Sequence, residues 1–285
     1  MLRRFTRDVI TGQGFTHSCD VRQVMIVALL KKSAFFSNLS QKAAPMVNIF
    51  TGPDLKRWSP ITYLFILIFA PAIFFVTAMW IDAPVTNALT NWPPQIINFF
   101  ELLTRLGESD WILIPTLLFW GVAPVSNLLP LGYRLQWRLR TFGAGCGFVF
   151  AAVALPGLVS ALIKRGLGRA RPVHMDELGT LHFSPQWGDW TFQSFPSGHT
   201  TTAFALATAI YLLTGRWGAL AYIGAVLIAL SRIVDGVHYF SDVVAGTFLG
   251  VGGALWVYHQ YRKRKWGFDG HKKGHRLRWA VPYKI

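Results

Sequence analysis

The chain alternates between long apolar runs and short polar or basic segments. A helix of about 20 residues crosses the ~30 Å hydrocarbon core of a bilayer. Several runs match or approach this length, and each is predicted to form a membrane-spanning helix. The six predicted spans are residues 61–80, 111–129, 142–163, 200–214, 217–230 and 243–261. The pattern therefore predicts an all-α fold, a polytopic membrane helix bundle with six transmembrane helices.

One further segment, 96–106, has apolar residues at helical spacing but is too short to span. We predict a short interfacial helix that lies on the membrane surface and is capped by Gly107. Within the third predicted span, Gly143 and Gly147 are four residues apart. Small residues at this spacing predict close contact between two membrane helices.

Composition supports a membrane protein, because 52% of residues are hydrophobic and only 14% are charged. Soluble domains usually have about 25% charged residues. We predict one six-helix domain over residues 58–261, a flexible basic tail over 1–57 and a second basic tail over 262–285. The second tail follows the last span directly, which favours contact with anionic lipid over nucleic acid. The two cysteines, Cys19 and Cys146, do not suggest a disulfide framework.

The distribution of basic residues predicts the orientation. If both termini are cytoplasmic, 22 of the 28 Lys and Arg residues lie on the cytoplasmic side. The positive-inside rule favours this arrangement and places the other membrane face outside. Four bases go against the rule, which indicates that they serve a function. They are Lys164, Arg165, Arg169 and Arg171.

Three polar clusters lie at span ends on the predicted outer side, and we expect the fold to bring them together. The clusters are Lys164 with Arg171-Pro172, then Pro196-Ser197-Gly198-His199, and then Ser231-Arg232 with His238 and Asp242. The connection 231–242 is predicted to be a short polar loop, and the segment 130–141 a basic loop.

Fixed cations suit a phosphoryl group, whose charge is spread over its oxygens. Lys164, Arg171 and Arg232 are the candidates, although each alone could simply snorkel to lipid headgroups. Ser197 is a predicted N-cap, and Gly198 lets a ligand approach the backbone. A helix N-terminus there would present free N–H groups to an anion.

Two histidines complete the candidate chemistry. His199 would lie at the edge of a bound anion, placed to donate a proton. His238 and Asp242 are four residues apart and would share one face of a helix. The carboxylate would fix the imidazole tautomer and leave the other ring nitrogen as a nucleophile. The structural alternative is a capping aspartate with an incidental histidine.

A metal site in the loop after Arg171 is a weaker hypothesis. Its candidate ligands are His174, Asp176, Glu177, His182 and Asp189, whose spacing matches no recognised template. We therefore predict no metal.

The order and spacing of the three clusters carry a resemblance to a known family. Lys164-x6-Arg171-Pro172, Pro196-Ser197-Gly198-His199 and Ser231-Arg232-x5-His238-x3-Asp242 together resemble the signature of the type 2 phosphatidic acid phosphatase superfamily. The resemblance covers residues 60–261. Phe240 stands where many relatives have proline, a difference that bears on the rim of the site. Soluble haloperoxidases share the signature, but the predicted spans argue against that interpretation.

The resemblance implies a role for each residue. His238 would be the nucleophile that forms a phosphohistidine, Asp242 its orienting partner, and His199 the acid that protonates the leaving group. The implied phosphate ligands are Lys164, Arg171, Ser197, Gly198 and Arg232. No metal or other cofactor is implied.

The resemblance also implies a function. The substrate would be a phospholipid or isoprenoid phosphate, such as phosphatidylglycerol phosphate, phosphatidic acid, undecaprenyl pyrophosphate or lipid A. The implied location is the bacterial inner membrane, with the active site on the periplasmic face. One alternative is a phosphotransferase that passes the phosphoryl group to an acceptor lipid. Another is a membrane protein that has lost catalysis.

Overall fold

A computed structural model describes residues 72–90, 92–264 and 266. These residues form helices and connecting turns without strands, apart from an isolated bridge between Arg169 and Phe183. The all-α prediction is therefore confirmed for the described part of the chain. The predictions for the tail 1–57, for the first half of the span 61–80 and for most of the tail 262–285 lie outside the described residues.

The helices are numbered here in chain order. They are α1 Ala72–Trp80, α2 Asp82–Thr90, α3 Pro94–Thr104, α4 Asp110–Val122, α5 Tyr133–Leu167, α6 Met175–Leu178, α7 Gly198–Thr214, α8 Ala221–Val234 and α9 Phe240–Arg264. Short 3-10 turns connect several of them, at Arg105–Gly107, Ala123–Asn127, Pro172–His174, Trp190–Phe192 and Gly215–Leu220.

Four segments of the described chain are long and apolar enough to cross a membrane. They are Pro94–Ser126, Tyr133–Leu167, Trp217–Val234 and Phe240–Arg264. The pair α1 and α2, bent by 49°, is a fifth if it counts as one span. The remaining predicted span is α7, whose 17 residues extend only about 26 Å. Residues 72–90, 92–264 and 266 thus contain four to five candidate spans, and the six predicted transmembrane helices are not confirmed.

The predicted basic loop 130–141 is wrong over most of its length, because α5 begins at Tyr133. Arg, Leu and Gln are good helix formers, so the helix continues through the polar sequence before the apolar run. The predicted loop 231–242 is also too long. Helix α8 includes Ser231 and Arg232, and α9 begins at Phe240, which leaves only residues 235–239 between helices.

The predicted interfacial helix corresponds to α3 and the 3-10 turn Arg105–Gly107 that follows it. The prediction that Gly107 caps it is wrong by one residue, because the cap is Glu108. Gly107 closes the 3-10 turn, and the chain changes direction at Glu108, which is extended with φ −66° and ψ 143°. Helix α3 packs against α8, and its position at the membrane surface stays a prediction.

Helix α7 is central to the described bundle, since it contacts α5, α8 and α9. Close approach between helices depends on glycine. A Cβ at Gly143 would lie 2.2 Å from the Cβ of Ala123, which confirms the predicted close contact of α5 with its neighbour. A Cβ at Gly250 of α9 would lie 2.4 Å from the carbonyl oxygen of Thr201 on α7. This contact brings the first turn of α7 against the third turn of α9.

Candidate active site

The first polar cluster begins where α5 ends. Gly168 adopts a left-handed conformation with φ 64°, and its N–H donates to the carbonyl of Lys164 at 3.1 Å. A Cβ at Gly168 would lie 2.1 Å from the carbonyl oxygen of Ser184, so only glycine fits this turn. The ammonium of Lys164 lies 3.7 Å from where a Cβ on Gly198 would be. The first and second clusters are therefore neighbours.

Arg171 is held by the loop that connects α5 to α7. Its N–H donates to the carbonyl of Thr191 at 2.8 Å, and its guanidinium lies 4.7 Å from the ring centre of Trp190. Asp189 accepts from the N–H of Thr191 at 2.8 Å and stabilises this turn. Burial and the positive charge of Arg232 lower the pKa of Arg171 to about 10. Repulsion between these cations would be relieved by a bound anion.

The second cluster forms the N-terminus of α7. Ser197 occupies the predicted N-cap position, but its side chain makes no capping hydrogen bond. Its hydroxyl instead accepts from the hydroxyl of Thr200 at 3.0 Å. Gly198 and His199 form the first turn of the helix. The turn thus presents backbone N–H groups and an imidazole at one point.

The third cluster joins two helix ends. Arg232 donates to the hydroxyl of Thr104 at 2.5 Å and lies 3.4 Å from a carboxylate oxygen of Asp235. Thr104 was not singled out from the sequence, and Asp235 was given no role there. The Nε atoms of Arg232 and Arg171 are buried without a hydrogen-bond partner among the described residues. Both guanidiniums therefore retain capacity to bind a ligand.

The predicted helical pairing of His238 and Asp242 is wrong in one respect. Asp242 lies in the first turn of α9, but His238 precedes the helix. Their side chains still face each other, with Nδ1 of His238 3.7 Å from Oδ2 of Asp242. This is longer than a hydrogen bond, although catalytic hydrogen bonds are often long in free enzymes.

His238 is 1% exposed. Burial lowers the pKa of His238 well below its ordinary value, and the charges of Lys164 and Arg171 act in the same direction. Asp242 acts in the opposite direction but does not outweigh burial. His238 is therefore neutral at pH 7.

The three clusters converge, as their spacing along the chain predicts. Lys164, Arg171 and Arg232 all interact electrostatically with His199. Lys164 and Arg171 also interact with His238. Three cations and two histidines thus surround one region near the N-terminus of α7, which is suited to a phosphate group.

Sequence reasoning gave no role to the residues that hold Asp242. Arg169 contacts Asp242 and Asp82, and Ser194 donates to Asp242 at 2.6 Å. The only signal for Arg169 in the sequence was its position on the side that the positive-inside rule leaves poor in bases. The loop proposed as an alternative metal site forms no group of potential metal ligands among the described residues.

Known proteins resemble this chain in sequence and in fold. Residues 145–266 match the PAP2 superfamily. The lipid A 1-phosphatase of Rhizobium etli is 36% identical over 195 residues, which cover 68% of this chain and 81% of that protein. The decaprenylphosphoryl-5-phosphoribose phosphatase of Mycobacterium tuberculosis is 39% identical over 171 residues, covering 58% of this chain and 80% of that protein.

A solved structure has the same fold. The phosphatidylglycerolphosphate phosphatase of Bacillus subtilis superposes with a TM-score of 0.50 at 24% identity, covering 70% of this chain and 94% of that one. The apolar helices and these relatives identify an integral membrane protein. The identity to the Rhizobium etli enzyme over most of its length, together with the match of residues 145–266, shows that the chain belongs to the PAP2 superfamily of phosphatases.

Proposed function

We propose that this chain hydrolyses a terminal phosphate or pyrophosphate from a membrane lipid through a phosphohistidine on His238. The observation that carries the proposal is the meeting of three cations with two histidines at the N-terminus of α7. Named relatives act on lipid A and on decaprenylphosphoryl-5-phosphoribose, which supports a lipid substrate. Lipid A, phosphatidylglycerol phosphate, phosphatidic acid and undecaprenyl pyrophosphate are the substrates to test.

Binding would come first. Lys164, Arg171 and Arg232 would bind the phosphate oxygens, together with Ser197 and the N–H groups at Gly198. The bound dianion would offset the repulsion among the cations and favour the protonated form of His199 beside them.

Chemistry would follow in two steps. Nε2 of His238 would attack phosphorus while the bond to the lipid oxygen breaks, and His199 would protonate that oxygen. Asp242 would stabilise the positive charge that develops on the ring of His238. Water, deprotonated by His199, would then attack the phosphohistidine, which releases phosphate and restores His238.

We also propose that both termini are cytoplasmic and that the site opens on the periplasmic side of the bacterial inner membrane. The support is the distribution of bases, of which 22 of 28 then lie on the cytoplasmic side.

The proposal is tested by phosphate release from the four lipids, with the protein in membranes and EDTA present. We expect release from at least one lipid by the wild-type protein and none by His238→Ala. A phosphorylated acceptor lipid in place of free phosphate would instead establish phosphotransfer. Release that EDTA abolishes would overturn a metal-independent mechanism, and equal release by His238→Ala would exclude His238 as the nucleophile.

The close packing of Gly107 against His199 leads to a prediction about kcat. A Cβ at Gly107 would lie 3.0 Å from Cβ and Cδ2 of His199 and 2.7 Å from Cγ2 of Ile228. Gly107→Ala should therefore displace the imidazole and lower kcat, by about 10²-fold for a displacement near 1 Å. Gly121→Ala is the matched control, because nothing lies within 4 Å of the added Cβ. Equal kcat for the two variants would contradict this packing constraint.

The neutral state of His238 leads to a prediction about pH. A base with a lowered pKa takes up its proton only at lower pH, so His238 stays a nucleophile as pH falls through 6.5. We expect the acid limb of kcat/KM that belongs to His238 to lie below about 6.5, the ordinary histidine pKa. The measurement is a pH–rate profile for kcat/KM. The profile is corrected for the ionisation of the substrate phosphate, which is measured by phosphorus NMR. A corrected limb at or above 6.5 would contradict the prediction.

A further inference from the structure

Arg169 is a buried cation that is not one of the proposed phosphate ligands. Its side chain is 0% exposed, and it lies between two aromatic rings. The guanidinium carbon is 4.5 Å from the ring centre of Tyr239 and 5.2 Å from that of Phe74. A charge buried this completely is costly unless it is fully paired. Its partners therefore indicate its role.

All five N–H donors of Arg169 are used within the protein. Nη1 donates to Asp242 Oδ1 and, at 2.8 Å, to the hydroxyl of Ser241. Nη2 donates to Asp82 Oδ2 at 2.8 Å and to the carbonyl of Thr180 at 2.7 Å, and Nε donates to the same carbonyl at 3.0 Å. The Nε atoms of Arg171 and Arg232, by contrast, have no hydrogen-bond partner in the part of the chain that the structure describes. Arg169 thus has no donor left for a phosphate.

Asp82, at the start of α2, holds the same turn of α9 from the other side. It accepts from the N–H of Ser241 at 2.9 Å and from its hydroxyl at 2.5 Å. Its second contact is the ion pair with Arg169. Asp82 and Arg169 therefore clamp the residue immediately before Asp242 and, through Arg169, Asp242 itself.

Asp242 is restrained on both carboxylate oxygens. Oδ1 accepts from Arg169, and Oδ2 accepts from the hydroxyl of Ser194 at 2.6 Å and from the N–H of Tyr239 at 3.0 Å. The same Oδ2 faces Nδ1 of His238, which has no other partner among the described residues. The orientation of the His238 ring therefore depends on where this carboxylate is held.

We infer that Asp82 and Arg169 are positioning residues for the reaction, which act by holding Asp242 in the orientation and ionised state that His238 requires. This inference rests on the proposed function, in which Asp242 orients the nucleophile. A lysine could supply the charge but not the planar fork that reaches three side chains at once. The orientation of Asp242 therefore depends on the planar geometry of the Arg169 guanidinium as well as on its charge.

The test is a double-mutant cycle between Arg169 and Asp242. Arg169→Met keeps the apolar volume but removes the fork, and we expect kcat to fall about 10²-fold with KM changed by less than about threefold. In an Asp242→Asn background the same substitution should change kcat by less than about threefold. The reason is that Arg169 acts on kcat through the carboxylate of Asp242, which asparagine lacks. Arg165→Met, an exposed arginine on the neighbouring turn, is the control and should match the wild type.

Stability and activity are separated by a second variant. Arg169→Met alone leaves two buried carboxylates without their cation, so its yield of folded protein should drop. Asp82→Asn/Arg169→Met removes one of those charges and should recover thermal stability, while kcat stays about 10²-fold low. A purely structural role would instead restore kcat together with stability. Arg169→Lys should not restore kcat.

Three results would overturn the inference. The first is wild-type kcat in folded Asp82→Asn/Arg169→Met. The second is an equal fold-decrease in kcat when Arg169→Met is made in the wild type and in Asp242→Asn. The third is full activity of Arg169→Lys. If the wild-type protein releases no phosphate, the proposed function fails separately. The inference is then still tested by nitrogen NMR of labelled histidine, which should report an Nδ1–H tautomer of His238 in the wild type that is lost in Asp82→Asn/Arg169→Met. An unchanged tautomer would overturn it.

Discussion

Replacing His238 with alanine is expected to lower kcat by a factor on the order of 10⁴–10⁶, because the substitution removes the proposed nucleophile. The measurement is initial-rate phosphate release by equal amounts of folded protein. His259→Ala, on the same helix α9 but about 26 Å along it from Asp242, is the matched control and should retain activity. Loss of activity in the control alone would contradict the assignment.

The covalent intermediate can be detected directly. Rapid quenching with labelled substrate should trap phosphate on the wild-type protein in an acid-labile, base-stable bond, and none on His238→Ala. His199→Ala should accumulate this species when the leaving group is a good one, since phenolate departure needs little protonation while hydrolysis still needs a base. Labelled phosphate on His238→Ala at the wild-type level would place the nucleophile elsewhere.

Replacing Arg171 with methionine is expected to have the next largest effect. The substitution removes a half-buried cation that interacts electrostatically with His238 and Arg232. Its Nε has no hydrogen-bond partner among the described residues. Charged hydrogen bonds are worth about 1.5–3 kcal/mol each, so the loss of two should lower kcat/KM by about 10²–10⁴-fold. Arg171→Lys should recover part of this loss, because it keeps the charge but not the fork.

Vanadate inhibition provides an independent measurement of the same site. Inhibition should weaken in Arg171→Met to the extent that the guanidinium binds the oxyanion, and stay unchanged in Arg165→Met. The apolar volume and the contact of residue 171 with Trp190 are approximately retained, so thermal stability should change little. Unchanged kcat/KM in Arg171→Met would show that this residue does not bind the phosphate.

The conditions of helix formation explain why most of the architecture could be predicted. A membrane span is a local property, since about 20 apolar residues are needed whatever surrounds them. The helix boundaries differ from the prediction because polar residues with high helix propensity extend a helix beyond its apolar run, as at Tyr133–Leu167. The 17-residue helix α7 also shows that a helix packed among others can be shorter than a typical span.

The candidate site was predictable to the extent that its chemistry is carried by short motifs. Lys164, Arg171, His199, His238 and Asp242 could be singled out because their residue types and spacings are themselves the signal. Their convergence followed from placing all the motifs on one membrane face. The geometry between His238 and Asp242 did not follow, because the start of α9 depends on contacts that Asp242 makes with distant residues.

By itself, the sequence determined that this protein is a helical membrane protein, and it predicted that a set of cations and histidines meets on one face and binds a phosphate group. Only the tertiary structure decided how these groups are held. Asp82 contacts Arg169, which lies 87 positions further along the chain, and Arg169 contacts Asp242, which lies 73 positions further. Gly107, in the turn between α3 and α4, packs against His199 of α7. Such contacts depend on which helices pack together, and no local pattern of apolar and polar residues encodes that choice.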